Sequence, residues 1–338
     1  MMMMKVSEFD YELPPELIAQ EPAEPRDSSR LMVLHRKMKK IEHRIFREIV
    51  EYLEPGDLLV LNVSRVIPAR LYAKKKTGAH IEILLLERLE EGIWCCLVKP
   101  GQKVKKGTEL LIDDDLSAVC LDRSEDGTRI LEFQPKNDDL ILKKGKAPLP
   151  PYIKKEVPLD RYQTVYAKEN GSVAAPTAGL HFTPELIEKL KEKGVEFAEI
   201  VLHVGIGTFR PVKVEEVEKH KMHEEYYRVP RETVRKIRET KEKGKKVVAV
   251  GTTTVRTLET IARLPEREEY AGKTDLFIYP PFEFKMVDAL VTNFHLPRST
   301  LLMLVAAFAG KDFIMEAYRE AVKRRYRFFS FGDAMLIL

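Results

Sequence analysis

Four stretches of the chain gather glycine, threonine, histidine and arginine beside apolar segments. They are 176–183 (Pro-Thr-Ala-Gly-Leu-His-Phe-Thr), 202–211 (Leu-His-Val-Gly-Ile-Gly-Thr-Phe-Arg-Pro), 251–257 (Gly-Thr-Thr-Thr-Val-Arg-Thr) and 292–300 (Thr-Asn-Phe-His-Leu-Pro-Arg-Ser-Thr). His181, His203 and His295 fall one in each of three stretches. Imidazole titrates closest to neutral pH, so these side chains are the natural candidates to move a proton. None of the three stands at short metal-ligand spacing to another, which argues against a zinc triad, and no metal is expected. His220 and His223 do have i,i+3 spacing, followed by Glu224 and Glu225. On so charged a segment that reads as the solvated or capping end of a helix.

The stretch at 251–256 follows an apolar run and would open a helix. Its free backbone N–H groups, the hydroxyls of Thr252, Thr253 and Thr254, and the Arg256 guanidinium suit a carboxylate or a phosphate. The Gly-Lys-Ser/Thr ending of a Walker loop is missing. His203-Val-Gly-Ile-Gly has G-x-G but neither a third glycine nor an acid at the right distance, which excludes a dinucleotide fingerprint. Gly205 and Gly207 would instead let the backbone approach a flat ligand. The run 323–329 (Lys-Arg-Arg-Tyr-Arg-Phe-Phe) interleaves base and aromatic. It suits a nucleic-acid surface, or equally a basic helix end whose aromatics enter the core.

The elements that must hold these loops fall into two textures. Short alternating runs between residues 70 and 155 (79–86, 93–99, 109–112, 116–121 and 129–134) are separated by turn signals such as Thr77-Gly78, Lys106-Gly107 and Asp126-Gly127. They predict a small antiparallel β-barrel. This segment carries 17 Lys and Arg against 14 Asp and Glu, with Lys74, Lys75 and Lys76 in one cluster. Elsewhere helix and strand alternate. Expected strands are 31–35, 58–62, 195–204, 246–250, 277–279 and 289–292, with one more inside 327–338. Expected helices are 16–20, 41–53, 184–193, 214–221, 231–243, 254–262, 300–309 and 312–326. The fold class is therefore α/β: a large mixed α/β sandwich-like domain (1–69 and 156–338) into which a small antiparallel β-barrel domain (70–155) is inserted. In open α/β sheets ligands collect beyond strand ends, where all four stretches fall.

Composition narrows the class. The chain has 338 residues, 44% hydrophobic and 33% charged, with 57 Lys and Arg against 53 Asp and Glu. So small a basic surplus excludes a histone-like binder but permits local basic patches. The longest strongly apolar stretch, Leu301 to Ala309, is about half of what spans a bilayer, so no membrane partner is expected. Three cysteines, two adjacent and none in a CxxC motif, read as reduced thiols of a cytoplasmic protein. No apolar stripe demands a second copy, which favours a monomer.

The same stretches resemble the S-adenosylmethionine:tRNA ribosyltransferase-isomerases of queuosine biosynthesis (the QueA family). Besides those already quoted, the matching segments include Phe9-Asp-Tyr-Glu-Leu-Pro, Arg26-Asp-Ser-Ser-Arg-Leu, Asn62-Val-Ser-Arg-Val-Ile-Pro-Ala-Arg, Gly171-Ser-Val-Ala-Ala-Pro and Tyr326-Arg-Phe-Phe-Ser-Phe-Gly-Asp-Ala-Met. They run in order nearly end to end. One departure is Pro281 in Tyr279-Pro-Pro-Phe, where the resemblance leads one to expect glycine.

The resemblance implies a reaction. The ribosyl part of S-adenosylmethionine moves onto the aminomethyl group of 7-aminomethyl-7-deazaguanine, at the wobble position of a tRNA anticodon loop. It rearranges to an epoxycyclopentanediol, giving epoxyqueuosine, and adenine and methionine leave. S-adenosylmethionine is then a consumed co-substrate, and no cofactor is expected. Within that chemistry His181 or His203 would handle a proton and His295 would position or protonate. Thr252, Thr253, Thr254 and Arg256 would hold the methionine carboxylate or an RNA phosphate, and Asn62, Arg65 and Asn293 would contact polar substrate groups. Phe182, Phe209 and Phe294 would stack on a base. Lys74, Lys75, Lys76, Arg324, Arg325 and Arg327 would track the RNA backbone. A conventional methyltransferase would need a Gly-rich loop after its first strand and a ribose-binding acid, and neither is present.

Overall fold

The computed structural model describes residues 3–205, 207 and 212–338. Before the barrel come β1 (Arg30–His35), β2 (Lys40–Ile45), β3 (Leu58–Asn62) and β4 (Ser64–Val66). The barrel strands are β5 (Arg70–Lys74), β6 (His80–Glu90), β7 (Ile93–Lys99), β8 (Glu109–Leu111), β9 (Ser117–Arg123) and β10 (Arg129–Gln134), followed by helix α1 (Asp138–Lys144). Next are β11 (Glu169–Ser172), α2 (Pro184–Lys193), β12 (Glu196–Leu202), β13 (Glu225–Val229), α3 (Arg231–Glu242) and β14 (Val247–Val250). The chain ends with α4 (Thr252–Ile261), β15 (Tyr270–Thr274), β16 (Ala289–Asn293), α5 (Thr300–Ala309), α6 (Lys311–Lys323) and β17 (Ala334–Ile337).

The protein is a mixed α/β fold with a closed antiparallel barrel. Nine strands form one sheet in the order β15-β13-β12-β3-β14-β16-β17-β1-β2, drawing on chain from both sides of the barrel. At its centre β12, β3, β14 and β16 run parallel to one another. Strands β3, β14 and β16 are buried at every position, as parallel strands covered on both faces must be. Leu58 and Val60 of β3 pack on the face that carries α4 and α5, while Leu59 and Leu61 pack on the face that carries α2 and Phe46. This is the two-residue alternation of a pleated strand.

The barrel closes in the order β10-β7-β6-β5-β8-β9. Alternate residues of its strands, among them Leu71, Ile83, Trp94, Leu110, Cys120 and Phe133, fill the interior. Arg129 is buried at its edge, donating from Nε to the Val104 carbonyl at 2.9 Å and from Nη2 to the Gly101 carbonyl at 2.7 Å. A buried guanidinium satisfied by carbonyls ties two loops to β10.

The helix boundaries follow their caps. Thr183 Oγ1 accepts the Leu186 N–H at 3.1 Å to start α2, and Gly194 ends it at a φ of 96°. Ser299 Oγ accepts the Leu302 N–H at 3.2 Å to start α5.

Some expected elements differ. Residues 41–53 form no α-helix: Lys40–Ile45 pairs antiparallel with β1 at the sheet edge, and only Phe46–Glu51 is helical, as a 3₁₀ helix. Six residues of ladder outweigh an apolar spacing that fitted either period. Residues 16–20 and 214–221 hold only short 3₁₀ turns, at Pro15–Leu17 and Val217–Lys219. Residues 277–279 are not a strand. Helix α1 and strands β4, β5, β11, β13 and β15 lie where no element was expected. Among the described residues, no helix is long and apolar enough to cross a membrane.

Candidate functional site

The carboxyl ends of the four central parallel strands meet on one side of the sheet. Asn62 ends β3, His203 follows β12, Gly251 follows β14, and Asn293 ends β16 with His295 just beyond. Asn62 holds this edge together. Its Nδ2 donates to the Leu202 carbonyl (3.0 Å) and to Thr253 Oγ1 (3.2 Å), while its Oδ1 accepts from the N–H groups of Leu202 (3.0 Å) and Ser64 (3.2 Å). Every polar atom of its buried amide is used inside the protein, which assigns it to shaping the site.

Two spaces open along this edge, and Val204 borders both. The smaller, of about 60 Å³, lies among Gly251, Thr252, Thr253, Asn293, His295 and Ser299. The larger, of about 710 Å³, separates the sheet from the barrel. Its barrel wall includes Arg88, Trp94 and Cys95, and its sheet wall includes Gly171, His203, Glu225 and Tyr226. Lys273 and Glu87 face each other across it, 3.7 Å apart.

The three histidines occupy different environments. His181 is buried and stacked on Phe46, ring centroids 4.9 Å apart at 26°. Its Nε2 faces Asn293 Nδ2 at 3.1 Å and its Nδ1 faces Ser29 Oγ at 2.7 Å. The amide nitrogen of Asn293 also donates to the Phe329 carbonyl at 3.3 Å. A carbonyl can only accept, so that contact fixes which way the amide points. His181 Nε2 is then the acceptor, and Nδ1–H donates to Ser29. Burial, with Arg327 and Arg26 nearby, drives the His181 pKa down to about 3. Burial does the same for His295, also to about 3, and its Nε2 lies 2.8 Å from Thr292 Oγ1. Both rings are neutral at physiological pH.

His203 is half-buried in the wall of the large cleft. Its ring stacks on Tyr226 at 5.6 Å and 25°, and its backbone N–H donates to the Tyr226 carbonyl at 3.0 Å. Its Nδ1 is buried with no hydrogen-bond partner among the described residues. Burial lowers its pKa, opposed by the Glu169 carboxylate and reinforced by Arg228. Gly171, at a φ of 143°, lies against the ring: a Cβ there would meet His203 Nε2 at 2.7 Å.

Other candidate residues take places the sequence does not reveal. Arg256 lines neither space. Its Nη1 is ion-paired with Glu225, and its Nε donates to the Leu276 carbonyl at 3.2 Å. The anion this guanidinium holds is therefore the Glu225 carboxylate, while its Nη2 is buried with no hydrogen-bond partner among the described residues. Glu225, expected on a solvated helix end, is a buried residue of β13, and its Oε1 accepts the Gly205 N–H at 2.8 Å. Thr254 Oγ1 turns back to the Val250 carbonyl at 2.8 Å. Phe182 is fully buried between Phe46 and Tyr166, and Phe294 between Tyr318, Tyr326 and Phe328, so neither ring offers a face to a base. Phe209 lies outside the described residues. Arg65 is exposed on β4.

Of the basic residues, Lys74 is exposed, Lys75 Nζ donates to the Lys103 carbonyl at 2.8 Å, and Lys76 pairs with Glu109. Arg324 pairs with Glu320, Arg325 lies 3.9 Å from Glu16, and Arg327 donates to the Glu21 carbonyl. Tyr326, Phe328 and Phe329 are buried, so the aromatics of 323–329 belong to the core and only its bases face outward. Sequence reasoning missed Ser29, Gly171, Glu225 and Tyr226. The alternation Glu225-Tyr-Tyr-Arg-Val229 was the available signal for the last two. Among the described residues, no cluster of His, Cys, Asp and Glu is disposed to hold a metal.

A family described as queuosine biosynthesis protein matches residues 6–337. The chain is 87% identical over 335 residues to the S-adenosylmethionine:tRNA ribosyltransferase-isomerase of Thermotoga maritima, covering 99% of this chain and 100% of that one. It is 69% identical to the protein of the same name from Thermosipho africanus, again over 99% of this chain and 100% of the other. A crystal structure of S-adenosylmethionine tRNA ribosyltransferase from Thermotoga maritima aligns with a TM-score of 0.60 at 73% identity, covering 98% of this chain and all of that one. Matched from one end to the other, with the loops at the strand ends included, the chain belongs to the queuosine biosynthesis protein family.

Proposed function

We infer that this protein is an S-adenosylmethionine:tRNA ribosyltransferase-isomerase. It transfers and isomerises the ribosyl moiety of S-adenosylmethionine onto 7-aminomethyl-7-deazaguanine at the wobble position of tRNA, and releases adenine and methionine. The observation that carries this reading is 87% identity, along the whole chain, to a relative named for that activity. A wobble base sits in a single-stranded loop and can be turned into a pocket without breaking a duplex. The 710 Å³ cleft beside the barrel is large enough for such a base with its attached sugar. The sulfonium acidifies the adjacent C5′ hydrogens, so a base close to it starts the loss of adenine.

Among the three histidines, His203 is best suited to be that base. His181 has both ring nitrogens engaged and His295 is held on Thr292, and the pKa of each is about 3, too low for an efficient base near neutrality. His203 alone of the three lines the large cleft, and among the described residues neither of its ring nitrogens is held in a hydrogen bond as those of His181 are. Incubating the enzyme with S-adenosylmethionine and precursor-bearing tRNA should yield adenine, methionine and a tRNA carrying epoxyqueuosine. Formation of S-adenosylhomocysteine instead would overturn the reading. His203→Ala should cut adenine release by about 10²-fold or more while tRNA still binds. Near-normal turnover would remove His203 from the mechanism.

A further inference from the structure

The 60 Å³ space beyond the strand ends combines three features. First, two helices begin at it. In α4 the first intrahelical bond is Val255 N–H to the Gly251 carbonyl, which leaves the N–H groups of Thr252, Thr253 and Thr254 without helix partners. In α5, Ser299 is the N-cap and Leu301 borders the same space. Both positive ends favour a negative group. Second, Asn293 is 2% exposed, and its Nδ2 is spent on Phe329 and His181, while its Oδ1 has no hydrogen-bond partner among the described residues. A buried, unpaired acceptor in the wall calls for a donor from the ligand. Third, the described lining contains no Lys, Arg, Asp or Glu, so the group that enters should be net neutral.

An anion alone meets the first condition and fails the other two. The geometry points to the α-amino-acid end of S-adenosylmethionine as the occupant, its carboxylate on the N–H groups of α4 and α5 and its ammonium on Asn293 Oδ1. Size agrees: one water needs roughly 10–15 Å³ by this measure, so 60 Å³ takes about five heavy atoms, the number in an amino-acid head group. This assignment rests on the reading that S-adenosylmethionine is a substrate. Asn293 is then a specificity residue that separates S-adenosylmethionine from sulfonium nucleosides without the amino acid.

Two measurements keep the assignment and the underlying reading apart. Adenine release from S-adenosylmethionine in the presence of precursor tRNA tests the reaction itself. The subsite is tested by calorimetric binding of S-adenosylmethionine and of 5′-dimethylsulfonium-5′-deoxyadenosine, which keeps the sulfonium and nucleoside but lacks the amino-acid end. The wild-type protein should bind the truncated ligand about tenfold more weakly or worse, and that comparison needs no variant. Asn293→Leu should weaken S-adenosylmethionine by about tenfold and change the truncated ligand by less than about twofold. Equal binding of the two ligands by the wild-type protein, an equal loss of both in Asn293→Leu, or displacement of S-adenosylmethionine by inorganic phosphate would each overturn the subsite, even if adenine release proceeds. Adenine release failing while the ligands bind as expected would overturn the reaction and leave the subsite standing.

Discussion

Arg256 and Glu225 form an ion pair with both side chains almost wholly inside the protein, 4% and 6% exposed. The second carboxylate oxygen of Glu225 accepts the Gly205 N–H at 2.8 Å, two residues beyond His203. The backbone of His203 is itself bound to Tyr226, the next residue of β13. Strand β13 thus acts as the template on which the His203 loop is laid. Removing one partner of a buried pair strands the other charge, whereas removing both relieves it. Glu225→Gln or Arg256→Met alone should cost about 3–5 kcal/mol, and the double variant clearly less than their sum. Chemical denaturation of the four proteins completes the cycle, and additive losses would refute the coupling.

Gly171→Ala should act on catalysis through His203. The added methyl would meet the ring at 2.7 Å, so the ring must shift within its stack on Tyr226. We expect kcat to fall by about 10²-fold with little change in KM for either substrate, because misplacing a reacting group by about 1 Å costs that much. Steady-state kinetics on the variant decide, and a loss confined to KM would show that Gly171 shapes binding instead.

The pH profile should identify the base. Burial holds the His203 pKa below its ordinary value of 6.5. A general base works only when neutral, so activity should be level above that value and fall as pH drops below it. The acid limb of kcat/KM for S-adenosylmethionine should therefore have its midpoint under pH 6.5 and disappear from the residual activity of His203→Ala.

Acid stability should report the other two histidines. The pKa values of His181 and His295 are depressed from 6.5 to about 3 in the folded protein. The unfolded chain binds protons at these sites first. Their stabilising contribution is complete above pH 6.5 and is lost as pH falls toward 3, at up to about 1.4 kcal/mol per pH unit for each ring. Unfolding titrations across this window should show the slope, and His295→Gln should remove about half of it.

Salt dependence should find the RNA-facing bases. Lys74 is exposed and has no pairing carboxylate among the described residues, whereas Lys76 is paired with Glu109. If Lys74 contacts a phosphate, Lys74→Ala should weaken tRNA binding evenly across sequences and lower the slope of log K against log salt by about 0.7–1. Lys76→Ala should change it less. Binding isotherms at several salt concentrations make the comparison.

Much of this was legible in the sequence because burial leaves a period in the chain. The apolar runs 58–62 and 289–292 marked strands covered on both faces, and the turn signals between 70 and 134 marked most of the barrel strands. Thr183, Gly194 and Ser299 marked helix ends through their own side-chain and backbone preferences. The loops 176–183, 251–257 and 292–300 were recognisable as strand-end loops by residue type alone, as was the kinship they carry. Residues 40–45 were not legible, because a half-exposed edge strand and an amphipathic helix leave similar spacing over six residues.

Tertiary structure alone decided the partners. Glu225 lies 31 residues from Arg256, and Asn293 lies 112 from His181. No local pattern encodes which distant carboxylate neutralises a guanidinium, or which ring takes the last donor of an amide. The same holds for Phe182 and Phe294: an aromatic beside a histidine in a loop looks available for stacking until packing buries it. Local sequence sets what each segment can become, through propensity and period. Contacts between segments, made only when the sheet assembles and water is excluded, determine which polar atoms are spent on one another and which, like Asn293 Oδ1 and His203 Nδ1, have no hydrogen-bond partner among the described residues.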